Sequence, residues 1–146
     1  MSSESSIPAF PKTFNMATYF LDERIAEGGG ARIAVSDDRG SYSYAQVHDL
    51  AGRLCALLWS GGVRPEDRCL IGLPDSVAFA SAFFGVLKAG AVVAMVNNEL
   101  PDSDYAYYLQ YTRCRALIAD AALLRRIAPL LPQAECLRLV IALSDD

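Results

Sequence analysis

From Cys69 onward, short apolar runs alternate with amphipathic stretches, and this alternation limits the fold more than any other feature of the chain. Cys69-Leu70-Ile71-Gly72-Leu73 is followed by a helical pattern over about 76–89, then by the apolar run Ala91 to Val96. Asp102 to Thr112 is helical in pattern, Arg115 to Ala119 is strand-like, Ala121 to Leu131 helical, and Leu137 to Leu143 strand-like. The strand-like runs are continuously apolar rather than alternating. Strands buried on both faces have this composition, because helices cover each side of a parallel sheet. The order β-α-β-α-β-α-β therefore predicts an α/β fold with three layers: a parallel sheet with helices on both faces. Right-handed crossovers would set its topology. The longest apolar run, Val77 to Leu87, contains Ser81 and Gly85 and ends at Lys88, which predicts a buried helix.

A helix and a hairpin are expected ahead of this unit. Asn15 is a plausible N-cap for a helix over about 16–27, with Met16, Phe20, Leu21 and Ile25 on one face. Gly28-Gly29-Gly30 stops it. Arg32 to Ser36 and Ser41 to Tyr44 flank the turn Asp37-Asp38-Arg39-Gly40, the pattern of a β-hairpin. Ser43 and Gln46 have capping-box spacing. Val47, Leu50, Ala51, Leu54, Leu57 and Leu58 follow at helical period until Gly61-Gly62. Residues 1–13, Ser-rich with Pro8 and Pro11, are expected to form a disordered lead-in, leaving 14–146 as the folded part.

Composition removes several classes of function. With 53% hydrophobic and 21% charged residues the chain is a folding sequence, and 146 residues suffice for one core. A net charge of −4 and no basic stripe argue against nucleic acid as a partner. Met1 to Ser6 lacks the features of a secretory signal. No apolar run approaches the roughly 18 residues a membrane span needs, and no polybasic anchor is present. Cys55, Cys69, Cys114 and Cys136 are scattered, without a C-x-x-C pair, and His48 is the one histidine. No metal site is expected, and small buried thiols suit a cytoplasmic protein.

The residue types that could carry chemistry each have a structural explanation. Gly28-Gly29-Gly30 follows a helix rather than a strand, and Lys-Ser or Lys-Thr does not follow it, so it is no phosphate loop. No G-x-G-x-x-G occurs, which disfavours a nicotinamide cofactor. Lys12 lies in the lead-in, and Lys88 suits a helix C-terminus. His48 falls off the apolar stripe, facing solvent with no marked partner. Ser76 in Leu-Pro-Asp-Ser lacks the flanking glycines of a nucleophile elbow, so N-capping is the simpler account. Tyr105 and Tyr108 are expected in the core and Tyr107 and Tyr111 near the surface; a nucleobase-stacking platform is the functional alternative. No residue is assigned as catalytic, cofactor-binding or metal-binding.

The motifs in order resemble the N-terminal part of adenylate-forming, AMP-binding acyl- and aryl-CoA ligases. Phe14-Asn15-Met16-Ala17 and Phe20-Leu21-Asp22 are similar to the opening of benzoate-type ligases. Asp37 to Tyr44 resembles their D-D-x-G-x-x-T-Y hairpin, and Gly62 to Arg68 their G-V-x-P-x-D-R link. Pro74-Asp75-Ser76 stands where P-N-S is frequent. Phe83 to Val92 resembles F-L-G-x-x-K-A-G-A-V, and Val96-Asn97 with Asp104-Tyr105-Ala106-Tyr107 resembles V-N…D-Y-A-Y. Together these cover residues 14 to 143.

The resemblance implies a partial N-terminal lobe of the adenylate-forming fold, truncated before the Ser/Thr/Gly-rich ATP phosphate loop. It also implies that a full-length parent joins a small carboxylic acid, of benzoate or related aryl type, to ATP with release of pyrophosphate, and then to CoA with release of AMP. ATP, Mg²⁺ and CoA would be the parent's cofactors, and the fragment alone would need none and be inactive. Asn98-Glu99-Leu100-Pro101 departs from the family, some members of which place a basic side chain near the CoA phosphates there; Glu99 has the opposite sign. A complete, non-catalytic flavodoxin-like binding or assembly module is the alternative from another class.

Overall fold

The computed structural model describes residues 11–143. Most of the expected lead-in lies outside them. Its residues 11–13 are exposed and form neither helix nor strand.

Asn15 opens the first helical segment. Its Oδ1 accepts from the Ala17 N–H at 2.8 Å, and its Nδ2 donates to the Leu87 carbonyl at 2.8 Å. Thr18–Asp22 takes the wide π spacing, with Glu23 N–H reaching back to the Thr18 carbonyl, and α1 (Glu23–Ala26) continues it. The expected face holds at Leu21 and fails at Met16 and Phe20. Ala17 and Leu21 are buried, whereas Met16 and Phe20 are 40% and 46% exposed. Gly28, at φ +81°, then ends the segment, its N–H bonding to the Ile25 carbonyl at 3.0 Å.

The hairpin pairs β1 (Ile33–Asp37) with β2 (Gly40–Ser43) antiparallel, Asp37 opposite Gly40. Ser43 ends it and caps α2 (Tyr44–Ser60). Its N–H donates to Gln46 Oε1 at 2.8 Å while its Oγ accepts from Gln46 N–H at 3.3 Å, the reciprocal box expected from the spacing. The buried stripe of α2 is Val47, Ala51, Leu54, Cys55 and Leu58. Leu50 and Leu57 lie at its margin, 36% and 53% exposed, and Cys55 takes the core position. Periodicity admitted two neighbouring stripes, and packing against α3 chose between them.

Four parallel strands form the main sheet: β3 (Arg68–Gly72), β4 (Val92–Met95), β5 (Ala116–Asp120) and β6 (Leu139–Leu143), in the order β4-β3-β5-β6. The chain runs outward from β3 to β4, returns past β3 to β5, and continues to β6. This order reproduces the flavodoxin-like arrangement of parallel strands. α3 (Val77–Lys88), α4 (Asp102–Tyr111) and α5 (Ala121–Ile127) make the crossovers. The reversal of direction puts α3 on one face and α4 and α5 on the other. Side chains alternate accordingly. Cys69, Ile71, Ala116 and Ile118 pack with α2 and α3, and Leu70, Leu117 and Ala119 pack with α4 and α5.

Two expectations need correction. β4 is not buried on both faces: Val92 and Met95 are 49% and 55% exposed, because the topology makes it an edge strand. The last expected helix does not run unbroken to Leu131. It ends at Ile127 and tightens into a 3-10 segment, Ala128–Gln133, where Pro129 removes a donor.

Candidate functional site

In open α/β sheets, ligands sit outside the carboxyl ends of the strands, where the strand order reverses. Here that point lies between β3 and β5, whose following helices go to opposite faces. Leu73-Pro74-Asp75-Ser76 leaves β3, Asp120 ends β5, and the hairpin brings Asp37, Asp38 and Arg39 alongside. With Leu143 they line a crevice of about 180 Å³.

Each polar group in it has a local cause. Asp37 leaves β1 with its Oδ2 accepting from Val77 N–H at 3.0 Å and its Oδ1 from Arg39 N–H at 2.9 Å. The Val77 bond first, then the Arg39 bond, holds this carboxyl below its ordinary value of 3.8. Ser76 Oγ accepts from Phe79 N–H at 3.2 Å and donates to the Pro74 carbonyl at 3.0 Å. Asp120 Oδ1 accepts from Leu123 N–H at 2.7 Å.

A helix start that follows a parallel strand attracts phosphate through its free N–H groups and dipole. At α3 the chain's own Asp37 and Ser76 accept the N–H groups of Val77 and Phe79, and at α5 Asp120 accepts that of Leu123. Asp37, Asp38, Asp75 and Asp120 face the single guanidinium of Arg39 in this crevice, so the local field repels phosphate. Among the described residues no group of three or more His, Cys, Asp or Glu is arranged to hold a metal ion. The crevice can seat neighbouring structure or an uncharged or cationic group; it is not built to grip a nucleotide's phosphates.

The residues weighed in the sequence fall elsewhere. Lys88 Nζ forms an ion pair with Asp22 Oδ1, and His48 Nε2 lies 3.1 Å from the same oxygen. His48 is thus half-buried against a carboxylate, not turned to solvent without a partner. The three side chains fasten the N-terminal helical segment to α2 and α3. Ser76 is the N-cap of α3, as expected. Tyr105 is fully buried, its hydroxyl donating to the Asn97 carbonyl at 3.0 Å, and burial pushes its pKa up to about 12. Tyr108 is half-buried. Tyr107 and Tyr111 are exposed and stack on each other with centroids 5.2 Å apart. Cys55, Cys69 and Cys114 are buried free thiols and Cys136 is half-buried; burial raises Cys69 to about 12.

Sequence reasoning missed Asp37 and Asp120 as site-lining groups, though each closes a strand, which is the available signal. It also missed Arg126. Its Nη2 donates to the carbonyls of Leu100 at 2.6 Å and Asn98 at 3.2 Å, and its Nε lies 3.1 Å from Asp102. Arg126 thereby pins the loop that presents exposed Glu99. No local pattern links an arginine to a loop 26 residues earlier.

Known proteins share this arrangement. A family model described as AMP-binding enzyme matches residues 21–146. The 4-hydroxybenzoate–CoA/benzoate–CoA ligase of Rhodopseudomonas palustris is 34% identical over 134 residues, 92% of this chain and 25% of that protein. The benzoate–CoA ligase of Thauera aromatica is 32% identical over 134 residues, 90% of this chain and 25% of that protein. Among solved structures, a benzoate CoA ligase from Burkholderia xenovorans LB400 superposes with a TM-score of 0.80 at 35% identity, covering 90% of this chain and 26% of that one. The chain therefore spans about a quarter of the length of these relatives. The expected layering, the motifs in order and the match over residues 21–146 agree, and the chain belongs to the AMP-binding enzyme family.

Proposed function

We propose that this chain is the first lobe of an ATP-dependent carboxylic acid–CoA ligase of benzoate type, and that its own part is structural. The supporting observation is the match of nearly the whole chain, in sequence and in fold, to ligases whose names specify benzoate and CoA. In the complete reaction an acid carboxylate attacks the α-phosphorus of ATP, giving an acyl-adenylate and pyrophosphate. The CoA thiol then displaces AMP to give the thioester. Mg²⁺ would neutralise charge on the transferring phosphate oxygens. In this reading the lobe contributes no group to that chemistry, which is supported by Asp37, Ser76 and Asp120 accepting first-turn N–H groups at its two candidate anion-binding helix starts. Its role is to present a packed sheet on which a neighbouring lobe holds the nucleotide. The buried free thiols fit a reducing cytoplasm. Among the described residues no helix is long and apolar enough to cross a membrane.

The strand order also fits a self-contained flavodoxin-like module, but the family match over residues 21–146 favours the ligase. Acid-dependent ATP–pyrophosphate exchange separates the two. The 146-residue chain with benzoate is expected to give background exchange only. The same chain joined to a continuation that carries a Ser/Thr/Gly-rich phosphate loop is expected to exchange. Exchange by the short chain alone would overturn the structural role.

A further inference from the structure

Two of the four cysteines flank the amino ends of β5 and β6. Ala116 pairs with Leu139. Just ahead of that rung the Arg115 carbonyl accepts from the N–H groups of Arg138 at 3.0 Å and Leu139 at 3.2 Å. Cys114 comes directly before Arg115, and Cys136 shortly before Arg138. The ladder thus delivers both to the same end of neighbouring strands. Adjacent strands run about 4.8 Å apart, inside the range of roughly 4.4–6.8 Å between Cα atoms that a disulfide spans. Cys136 sits in a turn closed by the Leu137 N–H, which donates to the Ala134 carbonyl at 3.0 Å.

The two thiols differ in access. Cys136 is half-buried and lines a polar cleft of about 500 Å³ with Leu109, Gln110, Arg113, Gln133 and Glu135. Cys114 is fully buried. Leu109 belongs both to this cleft and to the core cluster that holds Cys114, so the accessible sulfur lies at the rim of the core that seals the other. Burial, foremost, raises the Cys114 thiol above its ordinary 9.0, and the charge of Cys136 adds to the rise, as neighbouring thiols do. The cleft lies at the opposite end of β6 from Leu143.

We propose that Cys136 and Cys114 form a reversible disulfide, Cys136 being the thiol that meets a peroxide and Cys114 the thiol that resolves the product. First, the Cys136 thiolate attacks one oxygen of hydrogen peroxide. The S–O bond forms, the O–O bond breaks, and the departing hydroxide takes up the thiol's proton as water. Then the Cys114 sulfur attacks the Cys136 sulfur. The S–S bond forms, the S–O bond breaks, and a second water carries off the Cys114 proton. The thiol pair loses two electrons, and the peroxide is reduced to water. The link fastens the turn between α4 and β5 to the turn ahead of β6. A thiol reductant reverses it, as for transient disulfides in a reducing compartment. The site is independent of the ligase reading.

The 146-residue chain, folded by its thermal melt, is treated with graded hydrogen peroxide, alkylated, and digested with trypsin, which places each cysteine in a separate peptide. The expected product is a monomer lighter by two hydrogen atoms, with Cys55 and Cys69 still alkylated. Its digest should contain Cys114-Arg115 joined to the peptide 127–138, and dithiothreitol should separate them. Cys136→Ser should lose the link and Cys69→Ser keep it. Cys114→Ser should leave a sulfenic acid at Cys136 that dimedone captures. No link, a link that includes Cys55 or Cys69, a Cys136–Cys136 dimer as the main product, or a link that forms only after the fold has melted each overturns the proposal. If Cys114→Ser does not melt like the parent, the parent and Cys136→Ser decide.

Discussion

Asp37 does several jobs with one carboxylate: it closes the hairpin turn, accepts from the first N–H of α3, and lines the crevice beyond β3 and β5. Because its folded pKa is depressed, it stabilises the fold above its ordinary value of 3.8. That contribution is lost as pH falls through the lower folded value. Asp37→Asn is therefore expected to melt less steeply with acid below that point than the parent, with a lower melting temperature at neutral pH. A pH series of thermal melts reads both; parallel acid limbs would deny Asp37 this role. Gly85 is a second residue whose identity is set by contact. A methyl group there crowds a backbone carbonyl of the facing helix, so Gly85→Ala should destabilise by about 1–3 kcal/mol, seen as a lower urea midpoint. The glycine could be read from the sequence as part of an apolar helix; that it marks the closest approach of α2 and α3 could not.

At the scale of elements, signals confined to a few neighbouring residues survived. The Ser43–Gln46 capping box is present as its spacing required. Ser43→Ala should cost about 1 kcal/mol by urea denaturation, with an unchanged denaturant slope. Ser76 and Asp120 cap α3 and α5 by the same chemistry. Signals that needed a partner were less legible. Helical period alone could not tell Leu57 from Cys55, and the packed face of α3 decided for Cys55. On the first helical face Leu21 is buried as expected, but Ala17 takes the core position in place of Met16 and Phe20. That same segment carries Asp22, which meets Lys88 66 residues away, a distance no periodicity spans.

For the molecule as a whole, strand order carries the consequences. Among the described residues the main sheet has β4 and β6 as its outer strands, and Val92, Met95 and Val140 are 42% to 55% exposed. Open apolar edges invite pairing with other chains. The 146-residue chain is expected to associate as its concentration rises, and the paired changes Val92→Lys and Met95→Lys to reduce this in sedimentation velocity. A concentration-independent monomer in the parent would count against exposed edges that drive association.

The sequence by itself determined the alternation of buried strands and amphipathic helices, the local caps and turns, and the family. All of these are written in residues near one another along the chain, or in motifs whose order is preserved. The tertiary structure alone decided which apolar run became an edge, which of two stripes on α2 was buried, and that four carboxylates gather at the crevice beyond β3 and β5. Each of these depends on crossovers that bring together residues tens of positions apart. Burial and charge are set there by neighbours in space, and a linear pattern does not name them.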